Sequence, residues 1–478
     1  MNMKTLHTAL VTSLAIVLGG CMVGPDYHRP QLPMPAQYKE LPGWTAASPE
    51  ADASPKGDWW TAFNDPLLNQ LEPMVSVSNQ TVQQQYANYQ EALANVQVAR
   101  AALFPTLGIT GSATKQRSTS SNTLGTISSR RAVSTSGSLE GSASWAPDLW
   151  GKVRREVEAA RATAQADYAD AANVRLSMQT ELASDYMQMR AIDEELRLYD
   201  KTVKGYDLVL KVSQNQYAAG TAARSAVLTA QSQLLDAQAT VKTLIQTRQQ
   251  LEHAIAVLAG RPPADLTLAP KPFVLKIPDV PAGVPSTLLE RRPDIATAER
   301  QVKAANAEIG VAVSAFYPNL SLTGSYGYTG GELSALFSAS NSLWSFGASA
   351  PEVLFQGGYR VAAVRAAKAS RDQAVANYRQ TVLTAFQQVE DQLIALKQLE
   401  QADLIERQSS AAADENEQIV VNEYQAGTAA PTDVVVAEQT ALAERRTLIT
   451  YQEDRLVAIV SLIEALGGGW HASALEHS

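Results

Sequence analysis

The sequence is duplicated, and this duplication limits the possible folds more than any other feature. The phrases "NQYAAGTAAR" (215–224) and "NEYQAGTAAP" (422–431) place their glycines 207 positions apart (427 − 220). A second pair, "LFPTLGITGS" (103–112) and "FYPNLSLTGS" (316–325), matches at an offset of 213 (318 − 105). Two copies of this length predict two homologous structural units rather than a solenoid of many short repeats.

The domain boundaries follow from the segments that lie between and around these matches. A proline-rich stretch separates the two copies, and a second Pro-rich stretch follows the N-terminal apolar run. We therefore divide the chain into a signal segment 1–20, an N-terminal segment 21–63, a first repeat 64–262, a connector 263–286, a second repeat 287–470 and a tail 471–478.

Each repeat contains one long stretch with few helix-breaking residues. Its apolar residues recur at spacings of three and four, which is the heptad pattern of coiled-coil helices. This pattern predicts helices over about 151–216 and 358–424, each roughly 100 Å long, in an elongated rod. The two seams are Met189, Ile192, Leu196, Tyr199, Val203, Tyr206 and Leu210, and Val382, Phe386, Val389, Leu393 and Leu396; shorter helices are predicted over about 66–103, 221–259, 287–316 and 431–466.

Between the short and the long helix of each repeat, the apolar period changes from 3.6 to 2. Pro105 and Pro318 stand at this change, and proline ends a helix. Apolar and small residues then alternate with Ser and Thr, as in outer-membrane barrel strands whose polar face lines a lumen. The edge of a soluble sandwich shows similar alternation. The four predicted strands are about 105–117, 133–146, 318–328 and 341–351, with connecting turns at 116–131 and 329–340.

Four strands are too few to close a barrel, and lipid does not tolerate an open sheet edge. If the strands span a membrane, several copies of the chain must share one barrel. Eight strands leave an interior filled by side chains, whereas twelve or more leave an aqueous channel. A conduit therefore favours at least a trimer.

The N-terminus predicts a lipoprotein. In "MNMKTLHTALVTSLAIVLGGC", Lys4 precedes an apolar run that is shorter than the roughly 20 residues needed to span a membrane, which indicates a secretory signal. The run ends in "LGGC", which resembles a bacterial lipobox, so we expect a covalent lipid such as palmitate on Cys21. Met22, rather than Asp, follows and favours the outer membrane. The alternative is an ordinary signal peptide before a buried cysteine.

Composition argues against several classes of function. The net charge of −9 without long basic runs argues against nucleic acid as a partner. One cysteine allows no intrachain disulfide, and five histidines offer little material for a metal site. The sequence has no phosphate-binding glycine loop and no nucleophile elbow. We therefore expect neither an enzyme nor a cofactor, apart from the lipid on Cys21.

Four segments resemble outer-membrane efflux lipoproteins of the OprM/NodT type, which are relatives of TolC. The resemblance implies a fold that is mainly α with a membrane β-barrel: a homotrimer with a 12-stranded barrel and a long coiled-coil α-helical periplasmic tunnel. It also implies contact with outer-membrane lipid, a periplasmic membrane-fusion adaptor and an inner-membrane pump of the resistance–nodulation–division class. The segments are "CMVGPDYHRP" (21–30), "DWWTAFNDPLL" (58–68), "PSTLLERRPDIATAERQVKAANAEIG" (285–310) and "FYPNLSLTGSYGY" (316–328).

The same resemblance places the two glycine turns at a periplasmic tip where the tunnel entrance closes. From the residues alone, each glycine is a helix C-cap. In "LLERRPDI", Arg291, Arg292 and Asp294 are expected to form structural salt bridges. The candidate gate residues are Tyr217, Gly220, Arg224, Tyr424, Gly427 and Asp433.

The polar latch of TolC-like channels is incomplete in this sequence. Ala429 stands where the family has an arginine, and Val436 stands where it has a second aspartate. Asp433 is therefore the carboxylate that we expect to affect gating or cation passage, and it aligns with Ala226 in the first repeat. A solvated surface residue is the alternative interpretation.

These features predict a passive, gated outer-membrane exit duct that conducts drugs or other small molecules while a pump supplies the energy. Its lumen is expected to be negatively charged and to favour cations or neutral amphiphiles. Ducts for type I protein secretion or heavy-metal efflux are alternatives within the same class. A non-conducting coiled-coil periplasmic lipoprotein is an alternative from another class, although a tether has no use for amphipathic strands.

Overall fold

The computed structural model describes residues 22–32, 35, 37–40, 58–120, 130–272, 278 and 291–476. The expected signal segment, Cys21 and most of the connector lie outside the described residues. Among the residues that are described, no helix is both long enough and apolar enough to cross a membrane.

The secondary structure repeats in the same order in both halves of the described chain. In each half a 22-residue helix leads to a strand pair, then to a 67-residue helix and a 35-residue returning helix. Equal lengths are what a duplicated chain should give, and the predicted long helices are confirmed. The elements are α1 (Leu68–Ser78), α2 (Gln80–Ala101), β1 (Thr106–Ser120), β2 (Arg130–Trp145), α3 (Lys152–Ala218), α4 (Arg224–Leu258), α5 (Pro293–Ser314), β3 (Ser321–Gly330), β4 (Ser342–Ser349), α6 (Tyr359–Gln425) and α7 (Pro431–Ala465).

The single helix predicted over about 66–103 is wrong, because Asn79 divides it into α1 and α2. The backbone of Asn79 is extended, and its Oδ1 accepts the N–H groups of Thr81 and Val82 at 2.9 and 3.1 Å. Asparagine at this position satisfies donors that a new helix would otherwise leave unpaired. The break is therefore an N-cap, which the apolar periodicity alone does not reveal.

The residue before each 22-residue helix also ties that helix to the end of the returning helix. Asn79 Nδ2 donates to the carbonyl oxygen of Leu258, the last residue of α4, at 2.9 Å. In the second repeat, Arg292 donates to the carbonyl oxygen of Ala465, the last residue of α7, at 2.8 Å. The same connection is thus made by different side chains in the two copies.

The chain divides into two compact units. The first, which we call the sheet unit, comprises the described residues within 1–30, 90–165 and 299–377. It holds one antiparallel sheet in the order β1-β2-β3-β4.

The strands of the sheet unit depart from the predicted bounds. β1 and β2 have 15 and 16 residues, and Lys115 and Arg117 still pair with Thr135 and Val133. The predicted turn at 116–131 is therefore strand at both ends, since "QRSTS" contains no Gly or Pro and its backbone groups pair as long as nothing breaks the ladder. β3 begins three residues after Pro318, and β4 has only eight residues.

The second compact unit, the helix unit, comprises the described residues within 31–89, 166–298 and 378–478. Its core follows the predicted heptad seams: Tyr199 and Tyr206 of α3 pack with Leu234 and Ala237 of α4. In the second repeat, Val382, Val389 and Leu393 are at most 1% exposed.

Buried charges also hold the helix unit together. Asp193 accepts hydrogen bonds from Arg190 and Arg248, both at 2.6 Å, and Asp403 accepts from Arg407 and Arg455 at 3.0 and 3.1 Å. Arg292 pairs with Asp294 as the sequence predicts.

Glu72 of α1 is the exception among these buried carboxylates. It is 0% exposed, and neither of its carboxylate oxygens has a hydrogen-bond partner among the described residues. Burial raises the pKa of Glu72 to about 9, so its carboxyl group is neutral at pH 7.

Candidate functional site

The strand register collects the apolar side chains on one face of the sheet. Leu107 lies opposite Ala143, which lies opposite Gly324, which lies opposite Phe346. The next row across is Ile109, Gly141, Tyr326 and Trp344. Leu107, Ile109 and Phe346 are 80%, 81% and 82% exposed in the single chain. A continuous apolar face of this kind marks a surface that lipid or protein covers.

The opposite face of the sheet is formed by small polar residues. Ser112 and Ser138 share a hydrogen bond of 2.9 Å, and Ser325 and Ser345 share one of 3.0 Å. Glu140 brings a carboxylate to this face, opposite Thr110. The predicted division between an apolar and a small-polar face is therefore confirmed.

The apolar face has a limited height. Along β1 it runs from Leu107 to Ala113, and the next two residues on the same face are Lys115 and Arg117. Six residue steps at about 3.4 Å give a band roughly 20 Å tall. This is close to the roughly 25 Å apolar band of outer-membrane barrels.

Residues 22–27 form an ordered segment, the N-terminal strap, across the sheet unit. Arg155 is 1% exposed and donates to the carbonyl oxygens of Val23 and Gly24 at 3.2 and 3.3 Å, and to Asp26 at 2.9 Å. Gly24 has φ +95°, and a side chain there would collide with Gly310 of α5. The strap belongs to the Pro-rich N-terminal segment and contains no helix or strand, and these contacts fix it in place.

The strap lies where helices change into strands. The N–H of Val23 donates to the carbonyl oxygen of Trp150 at 3.1 Å. The Trp150 ring stacks on Tyr317 at 4.7 Å and donates its Nε1–H to the carbonyl oxygen of Pro318, just before β3, at 2.8 Å. Met22, next to the expected lipidation residue Cys21, lies so close to Gly151 that a side chain at Gly151 would collide with it. Cys21 itself lies outside the described residues.

Both glycine turns of the helix unit have the same backbone geometry. Gly220 and Gly427 have φ values of +72° and +77°, which is the left-handed conformation of a helix C-cap. Thr221 N–H donates to Gln216 O at 2.9 Å, and Thr428 N–H donates to Glu423 O at 2.9 Å.

The threonines have a second role that the sequence interpretation missed. The hydroxyls of Thr221 and Thr428 donate to the same two carbonyl oxygens, at 3.0 and 2.9 Å. The repeated "GT" is therefore one device: Gly supplies the left-handed conformation, and Thr donates twice to the last turn of the helix.

The structure brings only some of the candidate gate residues together. Gln216 Nε2 donates to the hydroxyl of Tyr424 at 2.9 Å, which connects the ends of α3 and α6. Tyr217 is instead 49% exposed, and Arg224 is also exposed. The sequence interpretation missed Gln216, whose counterpart in the second repeat is Glu423.

Asp433 has a defined structural contact. Its Oδ2 accepts the N–H of Ala430 at 3.0 Å at the start of α7. At the equivalent start of α4, Ala226 provides no carboxylate, although its N–H donates to Ala223 O at 3.1 Å as Asp433 N–H does to Ala430 O at 3.0 Å. Asp433 therefore stabilises the start of α7 through this hydrogen bond. Its side chain is exposed, and a role in gating stays a prediction.

Comparison with known proteins agrees with this geometry. The family model described as outer membrane efflux protein matches residues 73–261 and 284–468. The probable efflux pump outer membrane protein TtgC of Pseudomonas putida is 31% identical over 472 residues, covering 98% of this chain and 96% of TtgC. The cation efflux system protein CusC of Escherichia coli is 29% identical over 464 residues, covering 96% and 97%.

A solved structure of the outer-membrane channel OprN is similar over nearly the whole chain. It superposes with a TM-score of 0.85 at 28% identity, covering 94% of this chain and 100% of OprN. The helices, the four-stranded sheet and both repeats are therefore those of a known channel architecture, located at the outer membrane. With the family model covering both repeats, the chain belongs to the outer membrane efflux protein family.

Proposed function

We propose that this protein is the exit duct of a tripartite efflux pump, in which three copies form one channel through the outer membrane. An adaptor in the periplasm and an inner-membrane pump of the resistance–nodulation–division class complete the assembly. The duct is passive: it carries drugs or other small molecules outward and takes its energy from the pump. It is a transport component rather than an enzyme, as its family is.

The observation that carries the proposal is the sheet. β1 and β4 are edge strands of the four-stranded sheet, so each offers unpaired backbone groups to another chain. Lipid requires that such edges be closed. Three copies that pair β4 with the next copy's β1 give twelve strands, with the apolar face toward lipid and the Ser/Thr face toward the lumen.

The lipid on Cys21 belongs to this proposal. The strap places Met22, the residue after Cys21, beside Gly151, which directly precedes the long helix α3. Mass spectrometry of the N-terminal peptide from the purified mature protein is expected to show the acyl mass, and Cys21→Ser is expected to remove it. An unmodified Cys21 peptide in the wild type would contradict the lipoprotein assignment.

The periplasmic gate is proposed at the two glycine turns. The Gln216–Tyr424 hydrogen bond holds the end of the first hairpin (α3 and α4) to the end of the second hairpin (α6 and α7). An adaptor that separates these ends would open the entrance. Tyr217, Arg224 and Asp433 are exposed near the same turns and are available to it.

The test is conduction by the purified full-length protein. We expect an oligomer that withstands SDS until it is heated, and single-channel steps in planar lipid bilayers. A monomer without conductance under these conditions would contradict the proposal and would revive the tether alternative.

Cargo requires a separate experiment, because the similar proteins carry names for different cargoes. A deletion strain tested against antibiotics, solvents and metal salts should become sensitive to the exported class. Sensitivity to metal salts alone would favour heavy-metal efflux, and loss of an exported protein would favour type I secretion.

A further inference from the structure

A cavity of about 640 Å³ separates the two hairpins in the helix unit, away from the glycine turns. Helices α3, α6 and α7 line it. Gly205, the only glycine of α3, lies on its wall, and a Cβ there would meet no atom within 4 Å. Glycine weakens a helix interior relative to alanine. Since the local packing would accept a side chain at position 205, the glycine lowers the stability of α3 at the cavity without being needed for packing.

The cavity wall carries more carboxylates than its cations neutralise. Arg445 of α7 bridges Asp414 and Glu417 of α6 at 2.8 and 2.7 Å. Glu438, also on α7, has a buried Oε2 without a hydrogen-bond partner among the described residues. On the α3 side the wall carries the Tyr206 hydroxyl and three charged residues, Glu194, Arg197 and Lys201, of which Glu194 and Arg197 pair with each other.

Glu438 is therefore confined beside a like charge. Burial, followed by the repulsion of Glu417, raises the pKa of Glu438 to about 7. The same two carboxylates, after burial, raise the pKa of Tyr206 to about 12. A proton on Glu438 removes both the repulsion from Glu417 of α6 and the cost of burying a charge beside Tyr206 of α3, and loss of the proton restores both.

A second crowded carboxyl lies 15 residues further along α7, about 22 Å away at 1.5 Å per residue. Burial, then Asp454 and Glu195, raise the pKa of Glu453 to about 7. Glu195 belongs to α3 and is 4.0 Å from Arg446 of α7. We call the boundary between α3 and α7 at these two levels, where Tyr206 of α3 lies beside Glu438 and Glu195 of α3 lies beside Glu453, the carboxyl seam.

We propose that the carboxyl seam is a proton-operated joint between the two hairpins: protonated, it holds α3 and α7 together, and ionised, it lets them separate. The inference rests on the proposed duct function, because it assigns a regulator to the opening of that duct. It places the control in the shaft of the helix unit, at a level distinct from the glycine turns.

The direction of the effect follows from proton linkage. A carboxyl with a pKa near 7 when packed and near 4.5 when solvated binds a proton more tightly in the packed seam. Lower pH therefore favours packing, and the preference is lost as pH rises through about 7. Between pH 5.5 and pH 8 one such group is expected to change the ratio of separated to packed seams about tenfold, with roughly thirtyfold the ceiling for complete solvation.

The test measures the seam directly on the full-length oligomer. Spin labels are attached through Lys211→Cys on α3 and Gln439→Cys on α7, both exposed positions, and their distance distribution is recorded from pH 5.5 to pH 8. We expect a growing long-distance population as pH rises. Single-channel open probability is recorded over the same range.

Glu438→Gln keeps the shape of the side chain and its neutral state. We expect this variant to keep the short distance between the two labels at pH 8. The roughly tenfold change in the ratio of separated to packed seams between pH 5.5 and pH 8 should disappear. Glu415→Gln is the matched control, since it removes the same charge from an exposed position of α6 and should behave as wild type. Glu417→Gln removes the same repulsion from α6, the hairpin partner of α7.

Two outcomes separate the inference from the function on which it rests. Distances that do not change with pH in wild type, or that change equally in Glu438→Gln, would overturn the carboxyl seam while leaving conduction intact. Distances that change as expected in a protein that never conducts would uphold the joint and overturn the duct.

Discussion

The two repeats have the same backbone plan and hold it with different side chains. Their three matched helices are equal in length, and their glycine turns use the same Gly and Thr contacts. The connection from helix start to returning-helix end is made by Asn79 in one repeat and by Arg292 in the other. Contacts that set the path of the chain have persisted, whereas contacts between helices have diverged.

Two arginines at equivalent positions of the two repeats also have different partners, and here the contacts are ion pairs. Arg248 and Arg455 are equivalent, 207 positions apart (455 − 248), and each binds a buried aspartate of the long helix. Their partners, Asp193 and Asp403, are 210 positions apart (403 − 193). In the second repeat the carboxylate therefore comes from about one helical turn further along the long helix. Glu400 is the residue equivalent to Asp193, and it lies 3.6 Å from Arg455.

The largest expected effect comes from Asp193→Asn compared with Asp403→Asn. Asp193→Asn leaves Arg190, whose side chain is 5% exposed, as a buried cation without its carboxylate, and Arg248 keeps only Glu252, so the loss should be about 3–5 kcal/mol. Asp403→Asn should cost only about 1–2 kcal/mol, because Arg407 is 48% exposed and Arg455 keeps Glu400. Denaturant unfolding followed by circular dichroism measures both, and equal losses would mean that the two networks are interchangeable.

Glu72→Gln sharpens the contrast between paired and unpaired buried carboxylates. The pKa of Glu72 is raised to about 9 by burial, so the folded state keeps a proton that the unfolded state releases above about 4.5, and stability falls as pH rises between these values. The variant should gain roughly 2–3 kcal/mol at pH 7 and lose this pH dependence. A variant with the slope of wild type would show that Glu72 is ionised. Glu91→Gln, on the exposed side of α2, is the control.

Gly220→Ala and Gly427→Ala test whether the two turns are energetically equivalent. Each forces a side chain into a left-handed conformation where nothing else obstructs it, so each should cost about 1–2 kcal/mol. The two losses should agree, because both turns have the same backbone conformation. A clear difference between them would locate a contact that only one turn makes.

Tyr424→Phe compared with Tyr217→Phe gives the smallest expected effect and the most direct functional one. Only Tyr424 accepts the Gln216 hydrogen bond across the hairpins. Its loss is worth about 1 kcal/mol, or roughly fivefold in the open population. Single-channel recording should show more opening for Tyr424→Phe and no change for Tyr217→Phe, and the reverse order would exchange their proposed roles.

The features predicted correctly from sequence depend on neighbouring residues. Gly220, Gly427 and the heptad positions can be recognised from residues within a few helical turns. The alternation along β2 likewise predicts its two faces. The Arg155 contact to Asp26 and the Arg248 contact to Asp193 join residues 129 and 55 positions apart, and no local pattern specifies them. Asn79 is an intermediate case. Asparagine is common at helix starts, but the residues on both sides of it favour helix, so the sequence predicts one continuous helix there.

The N-terminal strap has a practical consequence for making this protein. Arg155 is covered by the residues that follow Cys21, so an expression version that begins at the first regular helix would leave a buried guanidinium facing an empty groove. A version shortened to Tyr27 or beyond should therefore be less stable than one that starts at Met22, even when neither carries a lipid. Affinity tags belong at the other end of the chain.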